Sequence, residues 1–89
     1  MRVLARNVHV RGCCEVDVVA RRGATLVLVE VKARRGGAAA EAVVPPRQAA
    51  LRRAGEALLA DPANAWAEGV RFDVVAWDGL RPCHLAGAF

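Results

Sequence analysis

Two runs rich in valine and leucine, separated by a short stretch that contains glycine, constrain the fold of this chain more than any other part of its sequence. The runs flank Arg22-Gly23-Ala24-Thr25. A Gly-X pair between two apolar runs is typical of a two-residue type II′ turn, because glycine readily adopts the positive φ of the first loop position. The sequence therefore predicts a β-hairpin with strands at residues 14–21 and 25–34.

The predicted turn sets the pairing of the two strands and gathers charged side chains on one face. With the glycine and the following alanine as the loop, Asp17 lies opposite Glu30. In the same register, Glu15 lies opposite Lys32. Since side chains alternate along a strand, all four project from the same face of the sheet. A shift of one residue in the register would scatter them, so the cluster depends on the turn.

The same alternation gives the second strand of the hairpin two apolar faces. Leu26 and Leu28 share the face of the charged cluster. The other face carries Val27, Val29 and Val31, which can pack on a helix or a partner sheet. Charged groups on a largely buried face cost free energy unless something compensates them. A divalent cation held by the two central carboxylates would provide that compensation.

The residue types of the cluster favour hydrolysis of phosphodiester bonds. Asp17, Glu30 and the backbone carbonyl that follows Glu30 suit Mg²⁺ or Mn²⁺, which prefer oxygen ligands. Such a metal polarises a phosphate and lowers the pKa of a bound water. Lys32 can orient that water or neutralise developing charge, with Glu15 in a supporting role. The alternative is a structural protein in which Glu15 and Lys32 form an ordinary cross-strand ion pair.

An aspartate on one strand and Glu-X-Lys on the next resemble the active-site motif of the PD-(D/E)XK nuclease superfamily, which has the restriction endonuclease-like fold. The proline that opens that motif is absent, since Val16 precedes Asp17. Over residues 3–89 the chain resembles the YraN family, small bacterial proteins grouped with Holliday-junction-resolvase-like nucleases. The segments that carry this resemblance are residues 15–20, 29–34, 41–43, 45–48, 71–75 and 88–89.

The resemblance implies a fold, an activity and a set of site residues. The fold is a single α/β domain over residues 1–89, with a mixed β-sheet, a hairpin that carries the site and one crossover helix. The active-site positions are Asp17, Glu30 and Lys32. The implied activity is cleavage of branched or damaged DNA with Mg²⁺ or Mn²⁺. Resolvase-like relatives are usually dimeric, so the resemblance also implies a homodimer.

Two departures from the family bear on that expectation. The family usually begins with a helix that carries a glutamate able to join the metal site, whereas this sequence enters its first strand almost at Met1. The family also usually has glycine before the position of Glu15, where this sequence has Cys14. We therefore expect the N-terminal helix to be missing. The alternative function is a non-catalytic nucleic-acid-binding or assembly module that keeps the nuclease fold.

Hydrophobic periodicity predicts the remaining elements. A first strand is expected over residues 2–10 with a bulge near Asn7, and a helix is expected from about Pro46 to Asp61. A strand after the helix predicts parallel pairing with the hairpin, because a strand–helix–strand unit crosses over the sheet. The predicted apolar side of the helix comprises Arg47, Ala50, Leu51, Ala54, Ala57 and Leu58, and the polar side Arg52, Arg53 and Glu56.

The strand after the helix is expected over residues 71–77, followed by a turn at Asp78-Gly79 and a short edge strand over residues 82–85. Alternation places Phe72, Val74 and Ala76 on one face, and Asp73, Val75 and Trp77 on the other. We expect Asp73 to have a structural role, since it lies outside the Asp and Glu-X-Lys unit.

Several basic residues are candidates for contact with nucleic acid. Arg34 and Arg35 follow Lys32 directly, and Arg47 and Gln48 lie in the first turn of the helix. A solvated strand end, helix capping or surface packing are the alternatives for these side chains. The net charge of +4 and the pI near 9.8 favour a polyanionic partner, although a G+C-rich genome could also produce this arginine content. Four aromatic residues without tyrosine disfavour a base-stacking platform.

Cysteine usage and hydropathy indicate the compartment. Three cysteines without paired spacing make a poor disulfide framework, so a reducing compartment is expected. Cys13, Cys14, Cys83 and His84 lack the ligand gaps typical of zinc sites, and partly buried thiols are the simpler interpretation. No apolar run reaches the length of a membrane span, and no signal-like core follows the first arginine. We therefore expect a cytoplasmic protein.

Overall fold

Five strands form one mixed β-sheet, and a helix packs on one of its faces. The structure, a computed structural model, describes residues 1–33, 43–78 and 80–89, with the side chain of Asp78 left out. The elements are β1 (Arg2–Val10), β2 (Cys14–Arg22), β3 (Thr25–Ala33), α1 (Pro45–Ala60), a 3-10 turn (Pro62–Asn64), β4 (Gly69–Asp78) and β5 (Arg81–Leu85).

The order of strands in the sheet follows the order in the chain. β1, β2 and β3 form an antiparallel meander, β4 pairs with β3 in parallel, and β5 pairs with β4 in antiparallel fashion at the edge. Because parallel neighbours need a long connection, α1 lies between β3 and β4 in the chain. The predicted mixed sheet, the parallel pairing and the edge strand are therefore confirmed. The turn predicted at Asp78-Gly79 involves Gly79, which is outside the described residues.

The predicted hairpin register is confirmed close to the turn. β2 and β3 pair from Arg22 with Thr25 to Val18 with Val29. Gly23 has a φ of 58°, as the first loop position of a type II′ turn requires. The alternating leucines and valines of β3 thus occupy the two faces that the sequence predicted.

Beyond Val18 the extrapolated register was wrong. The described pairing of β2 with β3 stops there, so Asp17 does not pair with Glu30 and Glu15 does not pair with Lys32. β2 instead remains paired with β1 as far as Cys14, and Glu15 lies opposite His9. The backbone pairing of the two hairpin strands therefore ends at Val18, on the side away from the turn.

β1 contains two irregularities rather than the one expected near Asn7. The register with β2 shifts between Val3 and Ala5. Asn7 itself has a φ of 51°, in the left-handed region that asparagine tolerates better than most residues. The pairs on either side of Asn7 place it opposite Asp17, where β2 leaves β3.

α1 packs on the face of the sheet that carries the leucines of β3. Leu51, Ala54 and Gly55 are its buried residues. A Cβ added to Gly55 would lie 2.9 Å from Cζ of Phe72, so the close approach of helix to sheet requires glycine there. Gly55 was missed by the sequence analysis, and the placement of Ala57 on the packed side was wrong, since Ala57 is exposed. The predicted polar side of the helix is exposed, as expected.

Each face of the sheet has its own group of buried residues. The helix side contains the larger cluster, comprising Val10, Val16, Val19, Leu26, Leu28, Val43, Leu51, Ala54, Phe72, Val74 and Ala76. The opposite side contains Ala20, Val27 and Val29, with Val18 and Val75 packed against them. The helix thus covers the face that carries Glu30, and the valines of β3 line the other face. Glu15 lies between Cys14 and Val16, which pack on the helix side, so the prediction that all four charged side chains share one face was wrong.

Two of the three cysteines fit the expectation of partly buried thiols, and the third does not. Cys13 and Cys14 are half-buried against the core, Cys83 is exposed, and all three are free thiols. Burial raises the pKa of the Cys14 thiol.

Phe89 stacks on Phe72 with ring centroids 5.3 Å apart, which anchors the last residues on the helix side. No helix in the described residues is long and apolar enough to span a bilayer.

Candidate functional site

Glu30 is the buried acidic residue at the centre of the predicted cluster. It continues the alternation of Leu26 and Leu28 along β3, so its side chain lies under α1 and is only 3% exposed. The leucines that precede it bury the turn-proximal part of the same face. A carboxylate at this position needs a partner, because an uncompensated buried charge is costly.

Arg47, in the first turn of α1, provides that partner. Its Nε lies 2.6 Å from Oε2 of Glu30, and its Nη2 lies 3.2 Å from Oε1. Nη2 also donates to the backbone carbonyl of Glu15 over 2.7 Å. The guanidinium thus connects α1 to β3 and to β2, beyond the point where the backbone pairing of the two strands ends.

Two carboxylates, those of Glu30 and Asp17, act on the guanidinium of Arg47. The hydrogen bond to Glu30 raises the pKa of Arg47, and the charges of Glu30 and Asp17 act in the same direction. Asp17 is therefore within electrostatic range of the guanidinium. The predicted position of Arg47 on the packed side of the helix is confirmed, since its side chain is 28% exposed.

Asp17 lies where β2 leaves β3. Its Oδ2 accepts a hydrogen bond from the backbone N–H of Val31 over 2.9 Å. Because no residue of β2 is paired with Val31, the carboxylate takes the place of a backbone carbonyl in the ladder. The structure therefore places Asp17 beside the peptide that joins Glu30 to Val31, by a contact different from the predicted cross-strand pair.

Lys32 lies at the solvent edge of the same group. Its Nζ is 4.0 Å from Oε2 of Glu30, and its side chain is 41% exposed. Lys32 is the only lysine in the sequence. The structure thus brings together Asp17, Glu30, Lys32 and Arg47, with the charges of two acids and two bases around the end of the hairpin.

The other predicted site residues lie outside this group or act through the backbone. The side chain of Glu15 is exposed, and only its carbonyl oxygen contacts Arg47. Gln48 donates through Nε2 to the carbonyl of Val43 over 2.9 Å, which ties the start of α1 to the preceding segment. Arg34 and Arg35 are outside the described residues.

The start of α1 differs from a typical anion-binding helix terminus. Its first two residues are Pro45 and Pro46, which have no backbone N–H to offer. Of the first three helical residues, Arg47 alone therefore has a backbone N–H, and the N–H of Gln48 is bonded to Val44. Any attraction for a phosphate here must come from side chains, chiefly Arg47.

The oxygen donors at the end of the hairpin fit a hard divalent cation in type. Among residues 1–33, 43–78 and 80–89, no three side chains of His, Cys, Asp or Glu are gathered as a metal site. The donors are two carboxylates, Asp17 and Glu30, with nearby backbone carbonyls, and Mg²⁺ commonly uses one or two carboxylates plus water. A positive group, the guanidinium of Arg47, already lies at the carboxylate of Glu30.

A second polar cluster lies on the opposite face and is built differently. Asp73 is fully buried and accepts hydrogen bonds from Arg71 over 2.8 and 2.9 Å, and from the backbone N–H of Gly87 over 3.0 Å. His84 Nε2 lies 2.8 Å from its Oδ2. Burial alone would raise the pKa of Asp73, but these hydrogen bonds outweigh burial and lower it. The contacts fit the structural role expected for Asp73.

Two features of the site were not found from the sequence. Arg47 was expected to contact nucleic acid, and its ion pair with Glu30 was missed. The sequence did place Arg47 on the packed side of the helix and Glu30 on the leucine-lined face of its strand. Those two positions together could have indicated the ion pair. Asn7 was noted only as the place of a bulge. Its position opposite Asp17 follows from the β1–β2 register, which the sequence analysis did not derive.

The sequence is similar to proteins of one family along most of its length. The family described as "Uncharacterised protein family UPF0102" matches residues 1–77. A UPF0102 protein of Bordetella petrii is 48% identical, over 97% of this chain and 57% of that protein. UPF0102 proteins of Parvibaculum lavamentivorans and Streptomyces coelicolor are 46% and 44% identical, over 99% and 84% of this chain. The chain covers 67% and 60% of their lengths.

Proposed function

The chain belongs to the UPF0102 family, the YraN family, and we propose that it is an endonuclease-like protein that hydrolyses phosphodiester bonds in structured or damaged DNA with a divalent metal. The observation that carries the proposal is the grouping of Asp17, Glu30 and Lys32 at the point where β2 and β3 separate. A carboxylate pair and an amine at an open strand end suit this chemistry.

The topology supports assignment to the restriction endonuclease-like fold. That fold is expected to combine a mixed sheet, a hairpin that carries the site and a crossover helix. The antiparallel meander β1–β3, followed by α1 and the parallel strand β4, agrees with this expectation. Because fold alone does not determine function, the proposal rests on the site residues.

The roles of the residues follow from their positions. Asp17 and Glu30 would hold Mg²⁺ or Mn²⁺, which when bound neutralises phosphate charge and makes a bound water more acidic. Lys32, half-exposed and on the same face as Glu30, can donate a hydrogen bond from Nζ to a water or to a phosphate oxygen. Arg34, Arg35, Arg47 and Gln48 are proposed to contact the nucleic acid backbone, and Glu15 to support the site.

A second candidate function is a nucleic-acid-binding or assembly module that does not cleave. The contact between Arg47 and Glu30 favours it, because this carboxylate is already compensated without a metal. The net charge of +4 is compatible with either function.

Cleavage assays on branched, single-stranded and linear duplex DNA test the proposal. The assays compare the original protein with Lys32→Ala and Asp17→Asn in Mg²⁺ or Mn²⁺, and Glu56→Gln serves as the control, since Glu56 is exposed on the far side of α1. Metal-dependent cutting that both site variants lose and the control keeps would support the nuclease. A folded protein that binds DNA without cutting it would support the second function.

A further inference from the structure

We propose that Arg47 is a resident counter-ion that a divalent metal must displace from Glu30, so that Arg47 sets the metal affinity of the site. The inference rests on the proposed function, since it concerns the same carboxylates. It adds a role for Arg47 that differs from contact with nucleic acid.

One carboxylate, that of Glu30, serves both cations. Arg47 reaches both oxygens of Glu30, through Nε at 2.6 Å and Nη2 at 3.2 Å. Oε2 also has the Lys32 amine 4.0 Å away. A divalent cation bound to these oxygens would lie against the guanidinium, and like charges repel strongly in a place shielded from water. Arg47 and the metal therefore compete for the carboxylate of Glu30.

The side chain of Arg47, rather than that of Glu30, can move. Glu30 lies in the middle of the sheet, between β2 and β4, and is 3% exposed. Arg47 is on the first turn of α1, and 28% of its side chain is exposed. A long side chain with a route to water can leave the carboxylate without any change in the sheet.

Asp73, the other buried acid in the described residues, has different hydrogen-bond donors from Glu30. Asp73 is held partly by a backbone N–H, that of Gly87, which cannot withdraw without unfolding of the chain end. In the described part of the chain, the hydrogen bonds to Glu30 come from the side chain of Arg47. The partners of Glu30 are therefore exchangeable, whereas Asp73 keeps one backbone donor in addition to the side chains of Arg71 and His84.

Titration with Mn²⁺ tests the competition without any measurement of cleavage. Isothermal calorimetry would compare the original protein with Arg47→Gln, and Arg53→Gln would serve as the control, because it removes the same charge from the exposed side of α1. We expect Arg47→Gln to bind Mn²⁺ about tenfold more tightly, a typical size for coupling between ligands, and Arg53→Gln to be unchanged. Equal affinities of Arg47→Gln and the original protein would overturn the competition and leave the metal site intact.

A second measurement keeps the test valid if Arg47→Gln fails to fold. In the original protein, the ¹⁵N NMR signal of the Arg47 Nε–H, assigned with Arg47→Lys, should shift or broaden as Mg²⁺ is added. Bound Mg²⁺ that leaves this signal unchanged would overturn the proposal. Absence of binding of either metal to every variant would instead refute the metal site itself, and the proposed function would fail with it.

Discussion

The backbone N–H of Val31 donates to Oδ2 of Asp17, fourteen positions earlier in the chain, over 2.9 Å. This bond replaces a backbone hydrogen bond where the pairing of β2 with β3 ends. Asp17 therefore has a structural role in addition to its proposed role in metal binding. Substitutions at this position can separate the two.

Asp17→Asn should leave the free energy of unfolding within about 1 kcal/mol of the original value, because the amide oxygen can still accept from Val31. Asp17→Ala should lower it by about 1–2 kcal/mol, since the N–H loses its partner. Urea unfolding followed by circular dichroism measures both. An equal and large loss in the two variants would mean that the charge, and not the hydrogen bond, holds the strand end.

Glu30 and Arg47 should behave as a coupled pair in unfolding experiments. Arg47→Ala should lower stability by about 3 kcal/mol, because it leaves a buried carboxylate without its main donor. Glu30→Ala should cost less, since Arg47 can turn to water. The double variant should be more stable than the sum of the single effects predicts, by about 1–3 kcal/mol. Additive effects would show that the ion pair contributes nothing beyond its separate parts.

Asp73 should make the protein sensitive to acid. Its pKa in the folded state is lowered below the ordinary value of 3.8, so its contribution is fully present above that value. The contribution decreases as the pH falls below 3.8 towards the folded-state pKa. At pH 7, Asp73→Asn should be less stable than the original protein by about 2–4 kcal/mol, since Arg71 and His84 lose a charged partner.

The matching measurement is urea unfolding of both proteins from pH 7 to pH 3. The difference in stability between them should narrow below about pH 4. A difference that does not change with pH would show that the carboxylate of Asp73 is not the source of the effect.

Gly55 should tolerate a methyl group only if its neighbours give way, chiefly the ring of Phe72 and to a smaller extent Cγ2 of Val70, 3.2 Å from the added Cβ. Gly55→Ala gains about 1 kcal/mol of helix propensity, but the added Cβ would lie 2.9 Å from the Phe72 ring, and overpacking typically costs about 1–3 kcal/mol. We expect a net loss of about 1 kcal/mol by thermal or urea unfolding. In a Phe72→Leu background, which removes the contacting ring atoms, the same substitution should become stabilising. The sign change would identify the ring contact as the cause.

The hairpin shows where reasoning from the sequence succeeds and where it stops. A glycine with positive φ determines the loop, and the loop determines the pairing of the residues next to it. The pairing rule assumes that both strands continue together. At Asp17 they separate, because β2 follows β1 and a side chain takes over the bond to Val31. Nothing in the local sequence marks that replacement.

The helix shows a second limit. Spacing identified its exposed side, but it could not distinguish Ala57, which is exposed, from Gly55, which is buried. The difference comes from the close approach of Phe72, a residue on another element. The same holds for Arg47 and Glu30, which lie seventeen positions apart and meet only when α1 crosses β3. Periodicity indicates which side of an element is packed, whereas the partner across the interface depends on the tertiary fold.

That Lys32 is the only lysine in the sequence has a practical consequence. It carries the only side-chain amine in the sequence, it is half-exposed, and it lies 4.0 Å from Glu30. Once the α-amino group of Met1 is blocked, an amine-directed fluorophore would attach beside the two carboxylates without any engineered cysteine. Its emission would report on changes beside Glu30, so a candidate ligand could be screened by a change in brightness.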